Sequence, residues 1–224
     1  MGAICDLDPG LGFDKIAQNF LFIGHGIEIS LKLLFGGIFI GILFGGILSI
    51  LRYSGMCRPV INGFISIIRG TPVMLQLSFV YFITPGIIGV KLGIISAGII
   101  AFGINSSAYI AEILRSGIES LPKGQFEAAQ TLEIPGFYIW RDIILPQVIA
   151  NILPAMVNEV ISLLKETALI ATIGGMDIMR RSQAIAAEQY EYFMPLCIAA
   201  LYYYSLVLII EFVGRKIERR RALW

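Results

Sequence analysis

The chain has 224 residues, of which 57% are hydrophobic and only 15% charged, and its mean hydropathy is +0.80. An average soluble domain is about 45–50% apolar and about 25% charged, so disorder and an ordinary water-soluble enzyme are both excluded. The formal net charge of +1 offers no basic field for nucleic acid, and no nucleic-acid partner is expected. Three cysteines, Cys5, Cys57 and Cys197, lie far apart without a CxxC pair. They read as free, partly buried thiols rather than a disulfide framework. The one histidine, His25, has no second ligand at metal spacing, so no metal site is expected.

A helix needs about 20 apolar residues to cross the hydrocarbon core, so about 128 hydrophobic residues supply about five crossings. In chain order the apolar stretches run from Ile27 to Leu51, Val60 to Ile83, Ile87 to Leu114, Ile143 to Leu164 and Pro195 to Val213. Ahead of the first, Asp6, Asp8, Asp14 and Lys15 give no basic n-region of a signal peptide. Gly37, Gly41 and Gly45 recur at four-residue spacing in the first stretch, a pattern that lets helix backbones approach closely in lipid. Pro72 predicts a kink or opening in the second. Arg52, Arg58, Arg115, Lys123, Arg141 and the tail Arg215 to Arg221 fall on one side of the alternating topology. That basic excess predicts a cytoplasmic C-terminus and an external N-terminus. Residues 1–22 then form an external segment, 23–215 the transmembrane domain and 216–224 a basic cytoplasmic tail. The segment Lys165–Met194 is external and mixed. Thr167–Ile173 is apolar, Gly174-Gly175 breaks it, and Met176–Tyr192 is amphipathic. Many secondary transporters carry two similar halves in one chain. Five spans without an internal repeat predict half of a pathway, completed by a second subunit.

The cytoplasmic loop, about residues 115–142, is patterned. Pro122 and Gly124 make a turn, Gln125 to Leu132 has good helix propensity, and Pro135-Gly136 ends it. Phe126, Ala129 and Leu132 share a face at three-residue spacing, Ala128 and Ala129 keep the surface thin, and Glu127 sits near the helix N-terminus, where a carboxylate is favoured. Such a short helix is suited to docking in a partner's groove.

Glu127-Ala128-Ala129, followed by Ile143 and Leu145-Pro146, resembles the EAA loop of ABC importer permeases. Arg69-Gly70-Thr71-Pro72, Ser107-Ala108-Tyr109-Ile110-Ala111-Glu112, Pro122-Lys123-Gly124-Gln125 and Leu164-Lys165-Glu166-Thr167 resemble the polar amino-acid permeases of the histidine, glutamine and arginine type. The resemblance runs from about Gly26 to Arg215. It implies an all-α membrane protein with the type I importer permease fold, in the bacterial cytoplasmic (inner) membrane. It also implies a partner permease subunit (identical or homologous), a cytoplasmic ABC ATPase dimer and an extracytoplasmic amino-acid-binding protein. The chain lacks G-x-x-x-x-G-K-[ST], so ATP and magnesium belong to the partner ATPase, and no cofactor or catalytic residue is expected in this chain. Coupling to the ATPase falls on Gln125, Glu127, Ala128, Ala129, Leu132 and Pro146. One position departs from the pattern. Glu133 stands where the family has Gly, and Pro135-Gly136 is expected to take over the sharp turn.

Charged and polar side chains at membrane depth are costly and therefore candidates for function. The candidate substrate contacts are Glu166, Lys165, Arg69, Thr71 and Asn105. Glu166 can pair an ammonium or a cationic side chain, with Lys165 or a helix N-terminus on the carboxylate; snorkelling at the interface is the other reading of this pair. Arg69 either pairs a buried acid or faces the pathway, and interhelical hydrogen bonding competes for Asn105. Glu112, Arg115 and Pro72 read as gating or structural, and Tyr202, Tyr203 and Tyr204 as packing. The function implied is import of a polar amino acid, basic ones included, by alternating access. A non-transporting membrane subunit and an ion-driven secondary transporter stand as alternatives.

Overall fold

The computed structural model describes residues 9–55 and 57–221; Cys5, Asp6, Asp8 and the tail beyond 221 lie outside the described residues. These residues are helical throughout, without strands among them. Four helices are long and apolar enough to cross a membrane, or five if a bent pair counts as one span.

Helix α1, Pro9–Gly24, leads into α2, Ile27–Tyr53, across a turn at His25 and Gly26. Sequence reading gave no helix before Ile27. Glu28 in the first turn of α2 and Arg52 in the last both suit the helix dipole. Helix α3, Arg58–Gly70, is followed by α4, Val73–Ser78, a π-helical stretch Phe79–Ile83, and α5, Thr84–Ile88. At the join the chain turns through 102°, because Pro72 removes an N–H and forces Thr71 into the extended region, φ −113° and ψ 143°. The second apolar stretch is therefore broken rather than merely kinked. Gln76 bridges the break, with Nε2 donating to the Ile68 carbonyl at 2.8 Å, the Thr71 carbonyl at 3.1 Å and Thr71 Oγ1 at 3.0 Å.

Helix α6, Ile94–Glu119, starts later than the expected Ile87, since 84–88 belong to the broken span. It lies along α2. A Cβ at Gly41 would stand 2.9 Å from Ser106 Cβ, and one at Gly45 2.8 Å from the Ser107 carbonyl oxygen. The glycine stripe is thus the seam that lets the two backbones meet. Helix α7, Lys123–Thr131, precedes the short α8, Gly136–Tyr138, a π-helical stretch Ile139–Ile144, and α9, Leu145–Glu166, so the fourth span begins before the expected Ile143. A 3₁₀ segment, Thr167–Ile173, then α10, Ile178–Gln189, and α11, Phe193–Arg221, complete the chain. The 3₁₀ segment ends on Gly174, whose φ of 90° suits glycine, in agreement with the expected break.

The main core gathers Leu33 and Leu34 of α2, Leu77 of α4, Phe102 of α6, Leu163 and Leu164 of α9, and Ile170. We call the end of the bundle carrying α7 and Arg52 basal, and the end carrying α10 distal. Cys57 and Cys197 are free and exposed, where partial burial was expected: Cys57 sits in the turn before α3 and Cys197 on an outward face of α11.

Candidate functional site

Two polar clusters lie along the facing sides of α6 and α9. The upper one holds two carboxylates. Glu159 and Glu166, seven positions apart on α9, share one helix face. Ser106 Oγ donates to Glu159 Oε1 at 2.7 Å, and Asn105 Nδ2 donates to Glu166 Oε2 at 3.3 Å. Asn105 and Ser106 are buried, whereas both acids remain partly exposed. Neither carboxylate makes an ion pair with a described residue. Lys165, beside Glu166, is exposed and makes no hydrogen bond with a described residue. Sequence reading named Glu166 and Asn105 but missed Glu159. Its seven-residue offset from Glu166 is the signal that would have found it.

The lower cluster is centred on Glu112, whose side chain is 17% exposed. It accepts from Arg52 Nη1 across the α2 boundary and from Arg115 at 3.2 Å (Nε) and 3.0 Å (Nη2) on Oε2. Arg115 also bridges Glu119. Arg69, in the last turn of α3, approaches Glu112 Oε2 at 3.5 Å and lies over the Tyr109 ring, 5.2 Å from its centroid. So Arg69, distant in sequence, joins the i,i+3 pair of Glu112 and Arg115 in one place. Arg52, read from sequence only as a topology anchor, completes the set. A cavity of about 560 Å³ opens beside them, lined also by Ser116, Ser120 and Asn151. Thr71 is exposed and donates to the Ile67 carbonyl at 2.9 Å. It therefore ends α3, and Pro72 sets the bend.

At the basal end α7 lies on Trp140, Ile144 and Val148, with Phe126 and Ala129 on its inner side. The expected shared face of Phe126, Ala129 and Leu132 is thus split. Ala129 is buried, while Leu132 is 73% exposed. Glu127, Ala128 and Pro146 are exposed. Gln125 exchanges two hydrogen bonds with Gln147, at 3.1 and 2.9 Å, and so anchors α7 rather than facing outward. The turn after α7 also differs from expectation. Glu133 itself adopts φ 55°, Glu133 N–H donates to the Gln130 carbonyl at 2.9 Å and Ile134 N–H to the Ala129 carbonyl at 3.1 Å. This is a Schellman cap at the position where glycine was expected, and Pro135-Gly136 instead starts α8. Among the described residues no cluster of three His, Cys, Asp or Glu is placed to hold a metal.

A bundle of membrane-length helices with an acid pair along one helix face and a short, outwardly exposed loop helix is the frame of a multi-pass membrane protein. The family model of the binding-protein-dependent transport system inner membrane component matches residues 37–223. The chain belongs to this family and is a permease subunit of an amino-acid ABC importer in the inner membrane. A protein of Rickettsia typhi that carries the name of a glutamine transport system permease is 46% identical over 208 residues, 92% of this chain and 95% of that one. The arginine transport system permease ArtQ of Bacillus subtilis is 42% identical over 213 residues, 94% and 97% of the two chains. The crystal structure of an amino acid ABC transporter with histidines superposes at a TM-score of 0.83 with 36% identity, covering 97% of this chain and all of that one. An inward-facing structure of the MetNI methionine ABC transporter, at 20% identity and a TM-score of 0.76, shares the fold. Family membership sets aside the readings as a non-transporting subunit and as an ion-driven transporter.

Proposed function

We propose that this chain imports basic amino acids and that Glu159 and Glu166 bind the cationic end of the substrate. The observation that carries this is the pair of partly exposed carboxylates on one face of α9, each oriented by an α6 side chain and neither paired with a described cation. Uncompensated acids at membrane depth are costly, and a guanidinium, imidazolium or ammonium offsets that cost. The names of the arginine permease relative and of the histidine-bearing structural neighbour support a basic substrate. The glutamine name of the rickettsial relative favours the second reading, in which only the α-ammonium meets the acids.

The remaining machinery follows the sequence expectations. The basic end faces the cytoplasm, with residues 1–22 outside and 216–224 inside. An ABC ATPase dimer docks on the outer surface of α7, at Glu127, Ala128 and Leu132, and supplies ATP and magnesium. A second permease chain closes the pathway, and an extracytoplasmic binding protein delivers the amino acid. Closure of the ATPase pair on ATP moves α7, and through Phe126, Trp140 and the Gln125–Gln147 pair the motion reaches α9 and the acids. The cycle alternates access between the two sides.

The test is direct binding of labelled arginine, histidine, lysine and glutamine to the purified complex without binding protein. A hydrogen bond to a charged group contributes about 1.5–3 kcal/mol, so Glu166→Gln and Glu159→Gln should each weaken arginine binding about 10- to 100-fold and affect glutamine less. Equal binding of arginine and glutamine, or arginine binding unchanged in both variants, overturns the reading. Coupling is checked separately: Glu127→Arg should abolish transport-linked ATP hydrolysis while the complex still binds arginine.

A further inference from the structure

We infer that the basal cavity between α3, α6 and α9 is a second, release-side site for the carboxylate of the transported amino acid, with Arg69 as its receptor. The inference rests on the proposed import of a basic amino acid and on the basal end facing the cytoplasm. Arg69 is the unusual member of the lower cluster. A guanidinium carries five N–H donors, yet Arg69 donates no hydrogen bond to any described residue, and its side chain is 43% exposed. The nearest carboxylate, Glu112, is 3.5 Å away and already serves Arg52 and Arg115. Three guanidiniums therefore face two carboxylates, Glu112 and Glu119, and one positive charge is left over. The Tyr109 ring, 5.2 Å from Arg69 Cζ, supports the guanidinium from one side, and with 43% of the side chain exposed its N–H donors can serve a bidentate carboxylate contact.

The cavity has room for such a ligand. Its volume of about 560 Å³ lies within the range of small-molecule sites, about 300–1,000 Å³. Ser116, Ser120 and Asn151 on its walls offer hydroxyl and amide groups to an ammonium or a side chain. It is also in line with the acid pair. Asn105, Tyr109, Glu112 and Ser116 recur on one face of α6, and Asn151, Ala155, Glu159 and Glu166 on one face of α9. The eleven positions from Asn105 to Ser116 span about 16 Å along the helix. The upper cluster binds the cationic end of a zwitterion, and Arg69 binds the opposite end further along the same stripe. A substrate leaving the acids thus finds its carboxylate partner before it reaches the cytoplasm.

The probes are labelled arginine and argininamide, which lacks the carboxylate, titrated into the purified complex without binding protein. Wild type should show two classes of arginine site per permease chain, and argininamide should fill only the tighter one. Arg69→Gln should weaken the second class at least tenfold, keep the first, and lower the turnover of arginine uptake several-fold in proteoliposomes. Arg69→Lys keeps the charge beside Glu112 but not the bidentate fork, so it should restore less than half of the turnover. A single class of site in wild type, both classes filled by argininamide, or wild-type turnover in Arg69→Gln overturns the inference. So does Arg69→Gln with lower thermal stability but both classes intact, which marks a purely structural arginine, and so does displacement of the second class by inorganic phosphate at the concentration of arginine that fills it. Failure of the acid-pair reading has a different signature: the tighter class then survives Glu159→Gln and Glu166→Gln.

Discussion

Glu112 holds together groups from three helices. Arg52 belongs to α2, Arg69 to α3 and Arg115 to α6 itself, so one carboxylate ties the start of the broken span to the central pair. Loss of one partner from a buried ion cluster costs more than the cluster contributes, because the remaining charges stay desolvated. Glu112→Gln should therefore lower stability by about 1–3 kcal/mol, less than the value for a fully buried pair since Arg69 and Arg115 are partly solvated. Arg52→Gln on that background should restore part of the loss, and a double-mutant cycle of thermal unfolding in detergent measures the coupling. The sequence made Glu112 and Arg115 visible as an i,i+3 pair. It did not show Arg52 or Arg69 beside them, because Arg52 arrives through the packing of α2 along α6 and Arg69 through the placement of α3 ahead of the 102° bend.

Two element ends carry their own consequences. The Schellman cap of α7 places Glu133 at φ 55°, a region that costs a non-glycine residue about 1–2 kcal/mol. Glu133→Gly relieves that strain against the greater freedom of glycine in the unfolded chain, and should raise stability by about 0.5–1 kcal/mol, read as a higher thermal midpoint. Glu133→Pro, which cannot adopt positive φ, should instead dislodge α7. At the distal end Asp177 caps α10: its Oδ1 accepts from Arg180 N–H at 2.9 Å and its Oδ2 from Tyr203 Oη at 2.9 Å. Burial raises its pKa above the ordinary carboxylate value, because the charged form is desolvated. The folded protein therefore holds this proton more tightly than the unfolded chain. The stability from Asp177 is full below the unfolded pKa of about 3.9 and is lost as pH rises through the higher folded value. Asp177→Asn keeps the cap and removes the charge, so its stability relative to wild type should increase as pH is raised from 4 to 7. Melting curves across that range check this; a constant difference overturns it. Asp177→Ala removes the cap as well and should cost about 1 kcal/mol or more at every pH.

On the proposed function the single chain is half of a pathway. Its core joins α2, α4, α6 and α9, yet Glu159 and Glu166 remain partly exposed on α9, within a span of 38 residues. Acids at such depth face a bundle interior or a water-filled cavity rather than lipid, so the exposed side of α9 should meet another protein surface. Native mass measurement of the complex should give two permease chains and two ATPase chains. A complex with one permease chain contradicts a pathway shared between two permeases. Cysteine pairs placed across the exposed face of α9 should crosslink between permeases and block uptake.

Composition by itself established the membrane setting, and the ordered words from Arg69-Gly70-Thr71-Pro72 to Leu164-Lys165-Glu166-Thr167 carried the family. The glycine stripe of α2, the short loop helix and the break at Gly174 were also legible, because close approach, capping and positive φ are demands of the local chain. The break at Pro72 was legible as a location but not as a 102° turn, since the angle is decided by what Gln76 and the neighbouring helices hold in place. The burial of Ala129, the partnership of Glu159 with Ser106 and the convergence of three arginines on Glu112 were not legible. Each depends on the rotation of one helix against another, and that rotation is fixed only when whole faces pack together.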